Sequence, residues 1–220
     1  MVTDTPRAQN DPDFVNIAAH LDNWRSVQRR LALDVFDEPD WENGRLYFRN
    51  GYRQGVETWK HWKERGDWAA YVIEATTRGY TNVLFSSKGE RDAHRFERVE
   101  AAFTRPIDAG KFVLARVGST LRVSMGLDSL SVRWRRQGND PRMRTDPPSA
   151  DQLNYMLQIC AGIQPGLLEQ HLLRYSLADR TEFHALPLPS QAPMMNVLPL
   201  TFDELEALLL EGLPPKYEDR

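Results

Sequence analysis

The sequence predicts an α+β fold: an antiparallel β-sheet from the middle third, packed by an N-terminal helix, a central helix and a C-terminal helical hairpin. Three observations carry this expectation. Apolar residues recur at three- and four-residue steps in two stretches, 14–35 and 107–121. Short runs of strand formers, punctuated by glycine, fill the region between them. A chain of 220 residues that is 41% hydrophobic is long enough to bury a sizeable core and reads as one domain with extensions.

Taken in order, residues 1–12 carry two prolines and mostly polar side chains and read as a flexible leader. Phe14, Ile17, Ala18, Leu21, Trp24, Leu31 and Val35 then mark an amphipathic helix over 13–37, stopped before Pro39, with Arg25, Gln28, Arg29 and Arg30 on its wet side. Asn50-Gly51 suits a tight hairpin between Arg45–Arg49 and a stretch around 56–62. A second strand pair follows, 68–76 and 80–87, turned at Arg78-Gly79, and residues 94–103 form a further strand. Pro106 opens a helix ending at Gly126. Leu130, Val132 and Trp134 alternate with Ser131, Arg133 and Arg135, which predicts a strand with one wet face. Residues 137–148, with three prolines, form a loop, and 149–161 with 166–178 form a helical hairpin broken at Gln164-Pro165-Gly166. These elements place one α+β domain at 13–180. Residues 181–220 form a tail: a proline-rich run at 186–199 expected to lie extended, then a short helix capped by Thr201 with Glu204 and carrying Leu205, Leu208, Leu209 and Leu213.

Several function classes lack any supporting motif. With 28 Lys+Arg against 31 Asp+Glu the net charge is −3, so no global field holds nucleic acid or anionic lipid. The chain contains no glycine-rich phosphate loop, no G-x-S-x-G, no H-E-x-x-H and no C-x-x-C. Cys160 is the single cysteine and reads as a small buried hydrophobe. The five histidines, His20, His61, His94, His171 and His184, stand in no catalytic or metal-ligand pattern. The carboxylate pairs Glu97/Glu100 and Glu90/Asp92 lie among Lys88, Arg91, Arg95 and Arg98, as in a solvent-facing charge ladder. No catalytic residue, metal or cofactor is therefore expected, and a cytoplasmic setting is expected from the lone cysteine and an N-terminus that reads as neither a secretory signal nor a transit peptide, with no spanning segment after it.

Two features rise above this background. Arg133, Arg135, Arg136, Arg142 and Arg144, with Trp134 among them, could grip phosphates and stack bases, so a nucleic-acid-binding effector or enzyme is the alternative reading. Trp59, Trp62 and Trp68 lie close to Tyr47, Phe48 and Tyr52 and are interleaved with basic residues. Aromatic and arginine side chains are the usual anchors of protein interfaces, which points to Tyr52, Trp59 and Trp62 as partner contacts.

The run from Arg78 to Leu130 adds a resemblance. Arg78-Gly79-Tyr80, the strand Val83-Leu84-Phe85-Ser86-Ser87, Glu90-Arg91, Phe96, then Phe112, Val117-Gly118, Leu121-Arg122, Gly126-Leu127 and Leu130 resemble the order of elements in the bacterial immunity-protein family that includes the tuberculosis-necrotizing-toxin immunity factor. The resemblance implies a cytoplasmic mixed sheet-and-helix protein that neutralises a secreted NAD glycohydrolase toxin by filling its active-site cleft. Arg78, Tyr80 and Arg91 join the expected partner contacts from this run. The expectation is thus a non-enzymatic protein-binding protein, most concretely an immunity protein that occludes a toxin's active site.

Overall fold

A computed structural model describes residues 9–31, 33–88, 94–160 and 162–213. It has an α+β architecture: one eight-stranded, wholly antiparallel sheet with helices on both faces. The first helix, α1 (Pro12–Arg30), starts where Asp11 accepts the Asp13 N–H (2.9 Å) and Pro12 supplies a preset turn. It stops seven residues short of the expected end. Arg25 and Gln28, read from the sequence as wet, are buried, and their side chains bind the backbone of Phe36 (2.8 and 3.3 Å), folding 33–36 back along the helix.

Strands β1 (Asp40–Glu42) and β2 (Arg45–Asn50) form a hairpin through Asn43-Gly44, both at positive φ (51° and 76°), rather than through Asn50-Gly51. The partner expected at 56–62 is not a strand. Residues 51–68 leave the sheet as an excursion holding two short helices, α2 (Arg53–Thr58) and α3 (Trp62–Arg65), and β2 pairs instead with β3 (Ala69–Ala75). Strands β4 (Thr81–Ser87) and β5 (Phe96–Phe103) complete a meander, turned at Gly79 (φ 78°) as expected. The β4–β5 register shifts between Val83 and Leu84, so Glu100 has no cross-strand partner. It is fully buried against Arg98 (2.6 Å), unlike the solvent-facing carboxylate foreseen there.

Helix α4 (Pro106–Ser124) runs through the main core, with Ala109, Phe112, Val113, Leu114 and Val117 fully buried. Leu130–Gln137 is a helix, α5, and not the strand its alternation suggested. The Ser129 hydroxyl caps Val132 (3.3 Å), and Leu130 and Trp134, four apart, both turn inward. Strand β6 (Met143–Asp146) lies in the expected loop. Helix α6 (Ala150–Ile159) is capped by a reciprocal Ser149/Gln152 box, and α7 (Pro165–His171) completes the hairpin.

The second half of the hairpin stops early, because 174–177 is strand β7 (Arg174–Leu177), joined to β8 (Arg180–Pro187). The expected boundary at 180–181 therefore falls at the start of a strand inserted between β5 and β7, in the sheet order β1-β2-β3-β4-β5-β8-β7-β6. The proline-rich run is a 3-10 helix (Pro189–Val197) with Met194, Met195 and Val197 buried, so it is core rather than extended surface. The last helix, α8 (Phe202–Leu210), has the Thr201/Glu204 capping box foreseen for it. Arg122 from α4 closes its other end, reaching the carbonyls of Leu208, Leu209 and Glu211 (3.2, 3.1 and 2.6 Å).

Alternation along the strands builds two cores. Leu46, Phe48, Tyr71, Ile73, Val83 and Phe103 face α1, α4, α5 and α8. Tyr47, Ala70, Val72, Leu84, Val99 and Leu186 face α6, α7 and Trp68.

Candidate partner-binding site

The second face of the sheet carries the aromatic residues singled out above, except Phe48, which lies in the first core. Position 49 follows 47 on the same side of β2, so Arg49 projects beside Tyr47. Its guanidinium, 2% exposed, lies 4.0 Å from the Tyr47 ring, 4.5 Å from Tyr52 and 5.4 Å from Trp68. Arg95 lies over Trp68 at 3.2 Å, and its two terminal nitrogens both donate to the Trp68 carbonyl (3.0 Å). Tyr52 meets Trp68 edge-on at 4.8 Å. The result is a ladder of alternating cations and rings. Asp40 and Glu42 (2.5 Å) neutralise Arg49, and Glu42 also binds Lys63 (2.5 Å), which ties β1 to the excursion.

The electrostatics follow from that packing. The hydrogen bond from Lys63 holds the Glu42 carboxyl below its ordinary range, and the same bond raises Lys63. Burial raises Asp40 despite its arginine. Burial also lowers Arg95, and repulsion from Arg49 adds to the effect, against the pull of Glu97. Two guanidinium groups crowded onto one indole are thus held by rings and carbonyls as much as by carboxylates.

The ladder braces the outward part of the excursion. Trp62 Nε1 donates to the Gly51 carbonyl (2.9 Å), and its ring lies against Gly55, where a Cβ would fall 2.0 Å from Nε1, so only glycine lets α2 rest there. Trp59 meets the Trp62 ring edge-on at 6.3 Å and remains 43% exposed, with Val56 37% exposed on the same short segment. A crevice of about 240 Å³ opens beside them, lined by Asp37, Glu38, Asp40, Arg49, Tyr52, Arg53, Val56 and Glu57.

Tyr80 lies on the same face under α6, and Arg78, exposed, reaches the last turn of that helix. The Tyr80 ring stacks on Tyr155 (4.4 Å), and Arg78 donates to Gln158 (2.6 Å). Arg91 lies outside the described residues, as do Glu90 and Asp92. Of the six expected contacts, the structure brings Tyr52, Trp59 and Trp62 together at one end of the face, sets Tyr80 beneath α6 and leaves Arg78 exposed beside it.

The arginine stretch is not an open basic patch. Arg133 pairs with Glu211, Arg136 with Asp128, Arg142 with Asp140 (2.9 Å) and Arg144 with Asp146 (2.8 Å), while Trp134 is buried in the main core. Among the described residues only Arg135 of these five has no ion pair. Cys160 is buried, which pushes its thiol up to about 11. Among the described residues no group of three or more His, Cys, Asp or Glu could hold a metal ion, and no helix is long and apolar enough to cross a membrane.

Sequence reasoning passed over Arg49, Arg95 and His184. Two-residue spacing from Tyr47 was a usable signal for Arg49. Arg95 carried none, because its ring partner is 27 positions away.

No family model and no curated protein matches the chain. One solved structure, described as Rv3902c from M. tuberculosis, is similar with a TM-score of 0.50 and 12% sequence identity, over 88% of this chain and 94% of that one. The likeness is one of fold. At 88% of the chain it covers far more than the run from Arg78 to Leu130 that carried the family resemblance.

Proposed function

We propose that the protein is a non-enzymatic binder of a protein partner, in its most concrete form a cytoplasmic immunity protein that occludes a toxin's active site, and that the 51–68 excursion is its anchor. The observation that supports this reading is Trp59: a large ring, 43% exposed, on a segment that leaves the sheet between two neighbouring strands and is braced from behind by the Arg49–Trp68–Arg95 ladder. A rigid exposed ring buries much area on docking at little entropic cost. Four of the five arginines of the 133–144 stretch are already neutralised, which weighs against nucleic acid as the partner.

The test is isothermal titration of the purified protein with the toxin encoded beside its gene. A 1:1 complex is expected, weakened roughly thirtyfold by Trp59→Ala, the loss of a hot-spot anchor of about 2 kcal/mol. Arg135→Ala should leave it unchanged. Undiminished affinity in Trp59→Ala, or instead binding to DNA or RNA that falls steeply with salt, overturns the proposal.

A further inference from the structure

We propose that His184 is a pH-sensitive latch on α6: protonation of its imidazole loosens the first turn of that helix and with it the cover over Tyr80. This inference stands on the geometry of α6 alone and does not depend on the partner proposed above.

His184 projects from β8 toward the N-terminal turn of α6. Its Nε2 lies 2.9 Å from the Gln152 side-chain nitrogen and 3.3 Å from the Tyr80 hydroxyl, and its Nδ1 lies 3.3 Å from the Glu182 carbonyl. The orientation of Gln152 is fixed independently. Its Oε1 accepts the Ser149 N–H (2.8 Å), as half of the box that caps α6, so its NH₂ must point at the histidine. Nε2 therefore accepts, and the ring proton sits on Nδ1, which donates to Glu182. The histidine is neutral and fully used.

A second proton, at Nε2, places a donor against the Gln152 donor. Turning the amide over brings Oε1 to the imidazolium but takes it from Ser149, whose N–H is then unsatisfied. The Tyr80 hydroxyl can accept from Nε2–H, but the Gln152 NH₂ still faces a cation at 2.9 Å. On either course the cap of α6 is weakened, and a helix of ten residues depends on its cap and its packing.

Among the described residues no carboxylate lies within ion-pair distance of the imidazole. The nearby cation is Arg174 on β7, itself held by Asp146 (3.4 Å) and the Thr181 carbonyl. Among the described residues its hydrogen-bonding neighbours are Tyr80 from the β3–β4 turn, Gln152 from α6, Thr104 from the end of β5, which binds the His184 backbone (2.8 Å), and the Glu182 carbonyl of β8 itself. Burial, and then Arg174, hold the imidazole below its ordinary value of 6.5, so the second proton arrives only below that pH. What α6 covers is defined by two contacts: Tyr155 stacked on Tyr80, and the Tyr155 hydroxyl donating to Asn82 (2.8 Å).

The test follows His184 by NMR from about pH 7.5 to about pH 5, above the range where most carboxylates titrate, with amide hydrogen exchange along α6 measured at each step. A single titration below 6.5 is expected, with the first-turn amides of α6 losing protection roughly fivefold at the same midpoint. Gln152→Glu puts an acceptor opposite Nε2, so the midpoint should rise by at least about one pH unit and the acid loosening should vanish. Should that variant fail to fold, His184→Asn must also abolish the loosening. Titration of His184 at or above 6.5, constant protection of α6 through the titration, an unmoved midpoint in Gln152→Glu or loosening that persists in His184→Asn overturns the proposal.

Discussion

Replacing Arg122 by Met removes the group that ends α8. Arg122 is 5% exposed, and no carboxylate lies within ion-pair distance of it among the described residues. Its Nε donates to the Asp128 carbonyl (3.0 Å), and one terminal nitrogen serves the carbonyls of Leu208, Leu209 and Glu211. That nitrogen has two protons for three acceptors, so the side chain makes three full bonds in effect. Charge-assisted bonds contribute about 1.5 kcal/mol each, giving roughly 4–5 kcal/mol. Burying a cation without a counter-ion costs part of this. A net loss of about 3 kcal/mol is expected in Arg122→Met, read from urea unfolding with an unchanged slope. Amides of α8 should exchange faster than those of α1 in the same variant. A loss under about 1 kcal/mol would refute the reasoning, since it would mean that the last carbonyls of α8 find equivalent donors in water.

Two further outcomes follow from particular contacts. Burial raises the Cys160 thiol from 9.0 to about 11, so the unfolded chain releases this proton first and stability falls as pH rises from 9 to 11. Discounted for solvent screening, the fall attributable to this thiol is about 1–2 kcal/mol. It should be missing from Cys160→Ala in alkaline denaturation curves, and an identical slope in the two proteins would count against it. Gly55→Ala forces the Trp62 ring from its seat and breaks its bond to Gly51, so the Trp62 indole resonance should shift while global stability changes by less than about 1 kcal/mol, because the ring is half-exposed. An unmoved resonance would show that α2 yields instead.

Legibility varied with the kind of interaction. The 106–124 helix, the β3–β4 pair and the Thr201/Glu204 cap were readable because each is specified by residues a few positions apart. Leu130–Arg135 was misread because Leu130 and Trp134 satisfy a two-residue and a four-residue period at once, and the Ser129 cap decides between them. The 186–199 run was misread because proline suggested solvent, whereas a 3-10 helix accommodates Pro189 and Pro193 while burying Met194 and Met195. At the candidate site, Trp59 and Trp62 stood out as aromatics. The ladder behind them did not, since it joins β2, the excursion and the segment before β5, and such cross-chain stacking leaves no local period.

The place of β8 in the sheet also governs how this protein is made. A nascent chain leaving the ribosome exposes β1 to β5 well before the strand that pairs with the Ala101–Phe103 end of β5, so the growing molecule carries that stretch of edge unsatisfied until β8 emerges. Fragments cut before residue 180 keep that edge for good and are the forms expected to aggregate.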